Sequence, residues 1–198
     1  MTTQRKAQFN SLLKRHLLVV DLEATCTNTD AFPREEMEVI EFGGVLLDRD
    51  NNWEPVERVE FFIKPTLHPT LSDFCRGLTH ITQEQVDEGR SYVWALTLLD
   101  AFTKRLGKDW SWCSWGAFDR NILVQNGVIH GLAPLLSPNK HFNMKVWYSS
   151  LLETKKGFGL DKAINKEGLE FIGQHHRALS DAENVAQIFR RVYGRSLQ

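Results

Sequence analysis

The chain has 198 residues, 42% of them hydrophobic and 25% charged, with a formal net charge of -1. That length fits one domain with a sizeable core and leaves two domains cramped. The near-zero charge excludes bulk attraction to nucleic acid or to a membrane surface, so such a partner needs a local basic patch.

Cys26, Cys75 and Cys113 are widely spaced and lack a C-x-x-C pair. This argues against a disulfide framework or a cysteine-based zinc site and fits a reducing cytosol. Met1 to Arg15 is polar and mildly basic, unlike a signal peptide or membrane anchor, and no stretch has transmembrane length.

In chain order, His16-Leu17-Leu18-Val19-Val20 is a near-continuous apolar run that reads as a strand buried on both faces. It continues into Asp21-Leu22-Glu23-Ala24-Thr25. Residues i and i+2 of a strand share a face, roughly 6.6 Å apart. Two carboxylates held that close in a partly dry place repel each other, and a hard divalent cation is the usual counter-charge.

Asn28 to Glu36 is a polar loop. Glu38 to Asp48 is a second strand, whose Gly43-Gly44 predicts a bulge or a close approach of another backbone. Val56 to Pro65 is a third strand with Val59, Phe61 and Ile63 on one face. Pro69 to Gly89 reads as short helices, with Thr82 as an N-cap. Tyr92 to Leu106 carries Val93, Leu96, Leu99, Phe102 and Leu106 at helical spacing.

Trp110 to Trp115 is a short aromatic strand, and its tryptophans read as core. Gly116 to Asp119 turns into a helix reaching about Gln125. Phe142 to about Thr154 and Gly159 to about Gly168 read as two more helices. The last runs from about Leu179 to Tyr193, with Ala182, Val185, Ala186, Phe189 and Val192 as its core stripe. This order predicts a mixed sheet with helices packed against it.

Three further positions complete a constellation. Asp119 lies at a strand-to-helix turn, where a carboxylate either caps the helix or faces a site at the strand ends. Asp181 falls beside the last helix's core stripe, and His176 precedes that helix. Four carboxylates can hold two divalent ions about 3.5–4 Å apart, which activate water and clamp a scissile phosphate. A histidine with a pKa near 6.5 can accept the proton of that water.

Asp21-Leu22-Glu23-Ala24-Thr25, the Asp119 segment and the H-x-x-x-x-D spacing of His176 and Asp181 resemble the DEDDh 3′-5′ exonucleases of the ribonuclease H-like fold. The resemblance spans about Leu17 to Tyr193. Glu38 to Gly44, Leu78 to Gln83 and His176 to Ala182 are similar to the subgroup of histone-mRNA and small-RNA trimming exonucleases and their bacterial relatives.

The resemblance implies an α/β, ribonuclease H-like domain, taken over 16–198, with a central mixed five-stranded sheet flanked by helices, and the polar segment over 1–15 is expected to be flexible. It implies Asp21, Glu23, Asp119 and Asp181 as ligands of two divalent ions, Mg2+ or Mn2+, and His176 as general base. The substrate would be the 3′ end of single-stranded RNA or DNA, RNA preferred, with nucleoside 5′-monophosphates released; the cysteine usage above sets the expected location as cytoplasmic. Ala24, Thr25, Ile81 and Phe118 would line the terminal-base pocket, and Arg177 would meet backbone phosphate. The subgroup has glycine where this chain has His80, which could add a stacking face or a phosphate contact. Lys155, Lys156 and Lys162 read as a solvated face or a basic strip. A non-catalytic nucleic-acid adaptor and a polymerase proofreading subunit are the alternatives on the same fold.

Overall fold

The computed structural model describes residues 12–154 and 157–196. Among these, β1 is His16–Ala24, β2 Val39–Asp48, β3 Glu54–Phe62, β4 Trp110–Ser114 and β5 His141–Asn143. The helices are α1 (Asp73–Thr79), α2 (Gln83–Asp87), α3 (Tyr92–Arg105), α4 (Phe118–His130), α5 (Met144–Leu151), α6 (Leu160–Lys166) and α7 (Ala178–Ser196).

The strands form one sheet in the order β3-β2-β1-β4-β5. β1 pairs antiparallel with β2 and parallel with β4, so the apolar run is the central strand of a mixed sheet, as expected. Its side chains alternate between two cores. Leu17 and Val19 pack with Val185, Ala186 and Phe189 of α7. Leu18, Val20 and Leu22 pack with Leu99 and Phe102 of α3 and Ile122 and Leu123 of α4. Each such side chain contributes about 1.5–3 kcal/mol by leaving water, which is why this strand needs no polar face.

Three expectations shift. Phe142 belongs to β5, not to a helix, and pairs with Cys113 of β4. The Asn143 side chain accepts a hydrogen bond from the Val146 N–H at 3.0 Å and starts α5 just after it. In α3, Val93 is 57% exposed, and Tyr92 and Ala95 take the buried positions. The Tyr92 hydroxyl donates to the Ala133 carbonyl at 3.0 Å, which rolls the first turn by one residue. α4 continues past Gln125 to His130 because Asn126 clasps the start of β2, accepting from Val39 N–H at 2.8 Å and donating to the Met37 carbonyl.

Most of the 1–15 segment lies outside the described residues, as do Lys155 and Lys156. Leu13, however, is buried in the core beside Leu17. All three cysteines are free thiols. Among the described residues no helix is long and apolar enough to cross a membrane.

Candidate active site

Alternation along β1 places Asp21 and Glu23 on the face of Leu17 and Val19, the face α7 covers. The register sets Asp21 opposite Gly43 and Glu23 opposite Glu41. Gly43 has no side chain to hold α7 away, and its backbone lies against that of Ala178 and Leu179. The first turn of α7 therefore settles beside the acidic end of β1, with Asp181 in it, 5% exposed. One carboxylate oxygen from each of Asp21, Glu23 and Asp181 lies within 4.8 Å of the others.

Asp119 comes from the other side of β1. It sits in the first turn of α4, whose N-cap is Ala117, so it is not spent as a cap. Its Oδ1 instead accepts the Leu22 N–H at 3.1 Å, between the two β1 acids. Four carboxylates from three elements thus meet at one end of the central strand.

Their proximity in a dry setting disfavours ionisation. Burial pushes the Asp21 carboxyl well above its usual range, with Asp119, Glu23 and Asp181 adding to the effect. Burial, then Asp181, raises Glu23 to about 9. Burial raises Asp119 to about 6 against hydrogen bonds from Ser114 and Leu22. Burial likewise raises Asp181 to about 6, opposed first by His175. Among the described residues, Asp181 Oδ1 is buried without a hydrogen-bond partner. Clustered hard oxygens, mutual repulsion and an orphaned carboxylate oxygen fit a divalent cation.

Glu41, which sequence reading left without a role, is a fifth carboxylate here and fully buried. It accepts the Ala178 N–H at 3.0 Å, capping α7 from across the sheet. Arg177 donates to it from Nε at 3.0 Å and Nη2 at 2.7 Å. The guanidinium expected to meet phosphate is thus engaged by Glu41 and lies 3.7 Å from Glu60. The ion pair spans 136 positions of sequence, so no local spacing marks it.

His176 is half-buried at φ 60, and its N–H donates to Asp181 Oδ2 at 3.3 Å. Burial, with His175 and His80 adding to it, lowers its pKa below the ordinary value, which keeps the ring neutral at pH 7. His175, passed over by the spacing, stacks on His176 at 4.0 Å between ring centres. It also stands 3.7 Å from Asp181.

The expected substrate contacts divide. Phe118 and His80 are exposed, and Arg34 lies over the Phe118 ring at 5.6 Å. Ile81 is packed with Ile40, Leu71, Cys75 and Val86 in a small core. Ala24 is buried, and the buried Thr25 hydroxyl accepts the Glu38 N–H at 2.9 Å. An open cleft of about 870 Å3, walled by Phe158, Asp161, Lys162 and His175, adjoins Asp181 through His175.

A mixed five-stranded sheet with clustered acids at the end of its central strand defines a ribonuclease H-like fold of the DEDDh exonuclease type. Residues 18–189 match the RNase_T exonuclease family model, and the chain belongs to that family. It is 28% identical over 194 residues to human ERI1 exoribonuclease 2, covering 86% of this chain and 27% of that protein. The chain thus spans under a third of the length of this curated relative.

It is also 27% identical over 176 residues to Bacillus subtilis "Probable 3′-5′ exonuclease KapD", covering 89% of this chain and 83% of that one. Among solved structures, the nuclease domain of 3′hExo, a DEDDh family member bound to rAMP, superposes with a TM-score of 0.82 at 27% identity. That match covers 92% of this chain and 93% of the other. The family uses divalent metal ions.

Proposed function

We propose that the chain is a metal-dependent 3′-5′ exonuclease acting on single-stranded nucleic acid, RNA before DNA, and releasing nucleoside 5′-monophosphates. The observation that carries this reading is the set of Asp21, Glu23 and Asp181 oxygens within 4.8 Å of one another, joined by Asp119 through its bond to the Leu22 N–H. An adaptor on this fold has no use for such an acidic set, because unneutralised it only destabilises the folded state.

In this reading Asp21, Glu23, Asp119 and Asp181 hold two divalent ions, Mg2+ or Mn2+. Bound there, the ions supply an activated water and neutralise charge on the scissile phosphate. His176, neutral at pH 7, takes the proton from the attacking water. Arg177 serves by neutralising Glu41, so that the buried negative charge beside the site does not rise further. Phe118 and His80 offer faces to the terminal bases. The three free thiols support a cytoplasmic setting.

RNA and DNA of matched sequence, labelled at the 5′ end and incubated with manganese, test the reading. It expects a ladder shortening from the 3′ end, faster for RNA and abolished by chelator. Products cut internally, or cutting that survives chelation, would refute it.

A further inference from the structure

His175 is neither a metal ligand nor the base in the reaction outlined above, yet its surroundings are specific. Its Nε2 faces Asp181 Oδ2 at 3.7 Å, and its Nδ1 faces Asp161 Oδ2 at 3.7 Å. Its ring stacks on His176, and Phe171 packs against it edge to face at 5.2 Å. One ligand atom from each of His175, His176 and Asp181 lies within 4.8 Å of the others.

The donor set differs in kind from its neighbour. Asp21, Glu23 and Asp181 offer oxygen alone, which suits hard ions. His175, His176 and Asp181 offer two imidazole nitrogens and one oxygen, the mixture that zinc favours. Asp161 stands where a metal-bound histidine commonly keeps a carboxylate. A proton held on Nδ1 by that carboxylate leaves the Nε2 lone pair facing Asp181. Asp181 is buried, its Oδ1 has no hydrogen-bond partner among the described residues, and His175 borders the open cleft, which gives an ion a way in.

We propose that His175, His176 and Asp181 form a binding site for a zinc-like divalent ion, distinct from the oxygen-only cluster and sharing Asp181 with it. An ion there occupies His176 and competes for Asp181, so zinc inhibits cleavage supported by magnesium. The inhibition rests on the exonuclease reading, whereas the binding does not.

The test is a zinc titration of the full chain against a chromogenic chelator in excess magnesium, for wild type and His175→Phe. Phenylalanine keeps a ring between His176 and Phe171 and removes both nitrogens. The proposal expects zinc affinity to fall roughly tenfold or more, well beyond any change in manganese affinity. Equal zinc affinity in the two proteins would overturn it. His175→Gln gives the same comparison if His175→Phe does not fold. In parallel, half-inhibition of magnesium-supported cleavage should need about tenfold more zinc in the variant. Equal inhibition, or loss of magnesium-supported cleavage with zinc affinity intact, contradicts the proposal, the latter making His175 a positioning residue for Asp181. A wild-type chain that cleaves nothing sinks the exonuclease reading alone, since the zinc titration still decides the site.

Discussion

Gly43 lies under the backbone of Ala178 so closely that a Cβ at Gly43 would stand 2.2 Å from the Ala178 carbonyl carbon. No side chain fits there, and the obstacle is backbone, which cannot swing aside. Gly43 also pairs with Asp21. One glycine therefore sets how near Asp181 comes to the β1 acids. Gly43→Ala should displace the start of α7, cost about 1–3 kcal/mol, and weaken manganese binding. Chemical denaturation and a manganese titration check this, and wild-type metal affinity in a destabilised variant would separate the glycine from the site.

The metal-free site gives stability a pH dependence of definite sign. Glu23 titrates near 9 in the folded chain against an ordinary 4.5. A raised carboxyl contributes stability that is complete below about pH 4.5 and lost as the pH rises towards about 9. Asp119 and Asp181, raised from 3.8 to about 6, act in the same direction over a lower window. The melting temperature in chelator should thus fall as the pH climbs through this range. Saturating magnesium should flatten the fall, and Glu23→Gln should reduce it. A metal-free melt that rises across this range would show that the acids are not crowded.

Glu41 is fully buried and depends on Arg177. Removing one partner of such a pair leaves an uncompensated charge, which costs about 3 kcal/mol or more. Arg177→Met should therefore destabilise the chain strongly, and adding Glu41→Gln should recover much of the loss. Thermal melts of the two singles and the double measure the coupling. Additive losses would mean that the pair contributes nothing jointly.

His176 carries the proposed proton transfer. His176→Ala should slow cleavage by about 10²–10⁴ while manganese binding persists. The wild-type rate should drop on the acid side, below the ordinary histidine value near 6.5, because burial depresses this ring. A rate profile unchanged by the substitution would remove the assignment.

Sequence patterns with a short period were legible. The apolar run of β1, its acidic i, i+2 ending and the core stripe of α7 each repeat within a few residues. What stayed hidden depends on distant pairing. β5 has three residues, too few to show alternation, so Phe142 read as the start of a helix. Glu41 carries no mark of its role in the sequence, and Arg177 reads as a phosphate contact, until the fold joins the two. The bond from the Leu22 N–H to Asp119 crosses 97 positions and turns an apparent helix cap into part of the site. Gly43-Gly44 reads equally as a bulge or a close approach, and only the fold shows that α7 makes that approach at Gly43. The adjacent histidines could be ranked by spacing, but spacing could not show that His175 also faces Asp181.

The account rests on four carboxylates that together hold divalent ions. Calorimetric titration of the metal-free chain with manganese tests this most directly, for wild type and Asp119→Asn. Asparagine can still accept the Leu22 N–H, so the variant should melt in chelator at or above the wild-type temperature. The account predicts two manganese ions per wild-type chain and the loss of at least one in the variant. Manganese binding that is absent from the wild type, or identical in the two proteins, would contradict it.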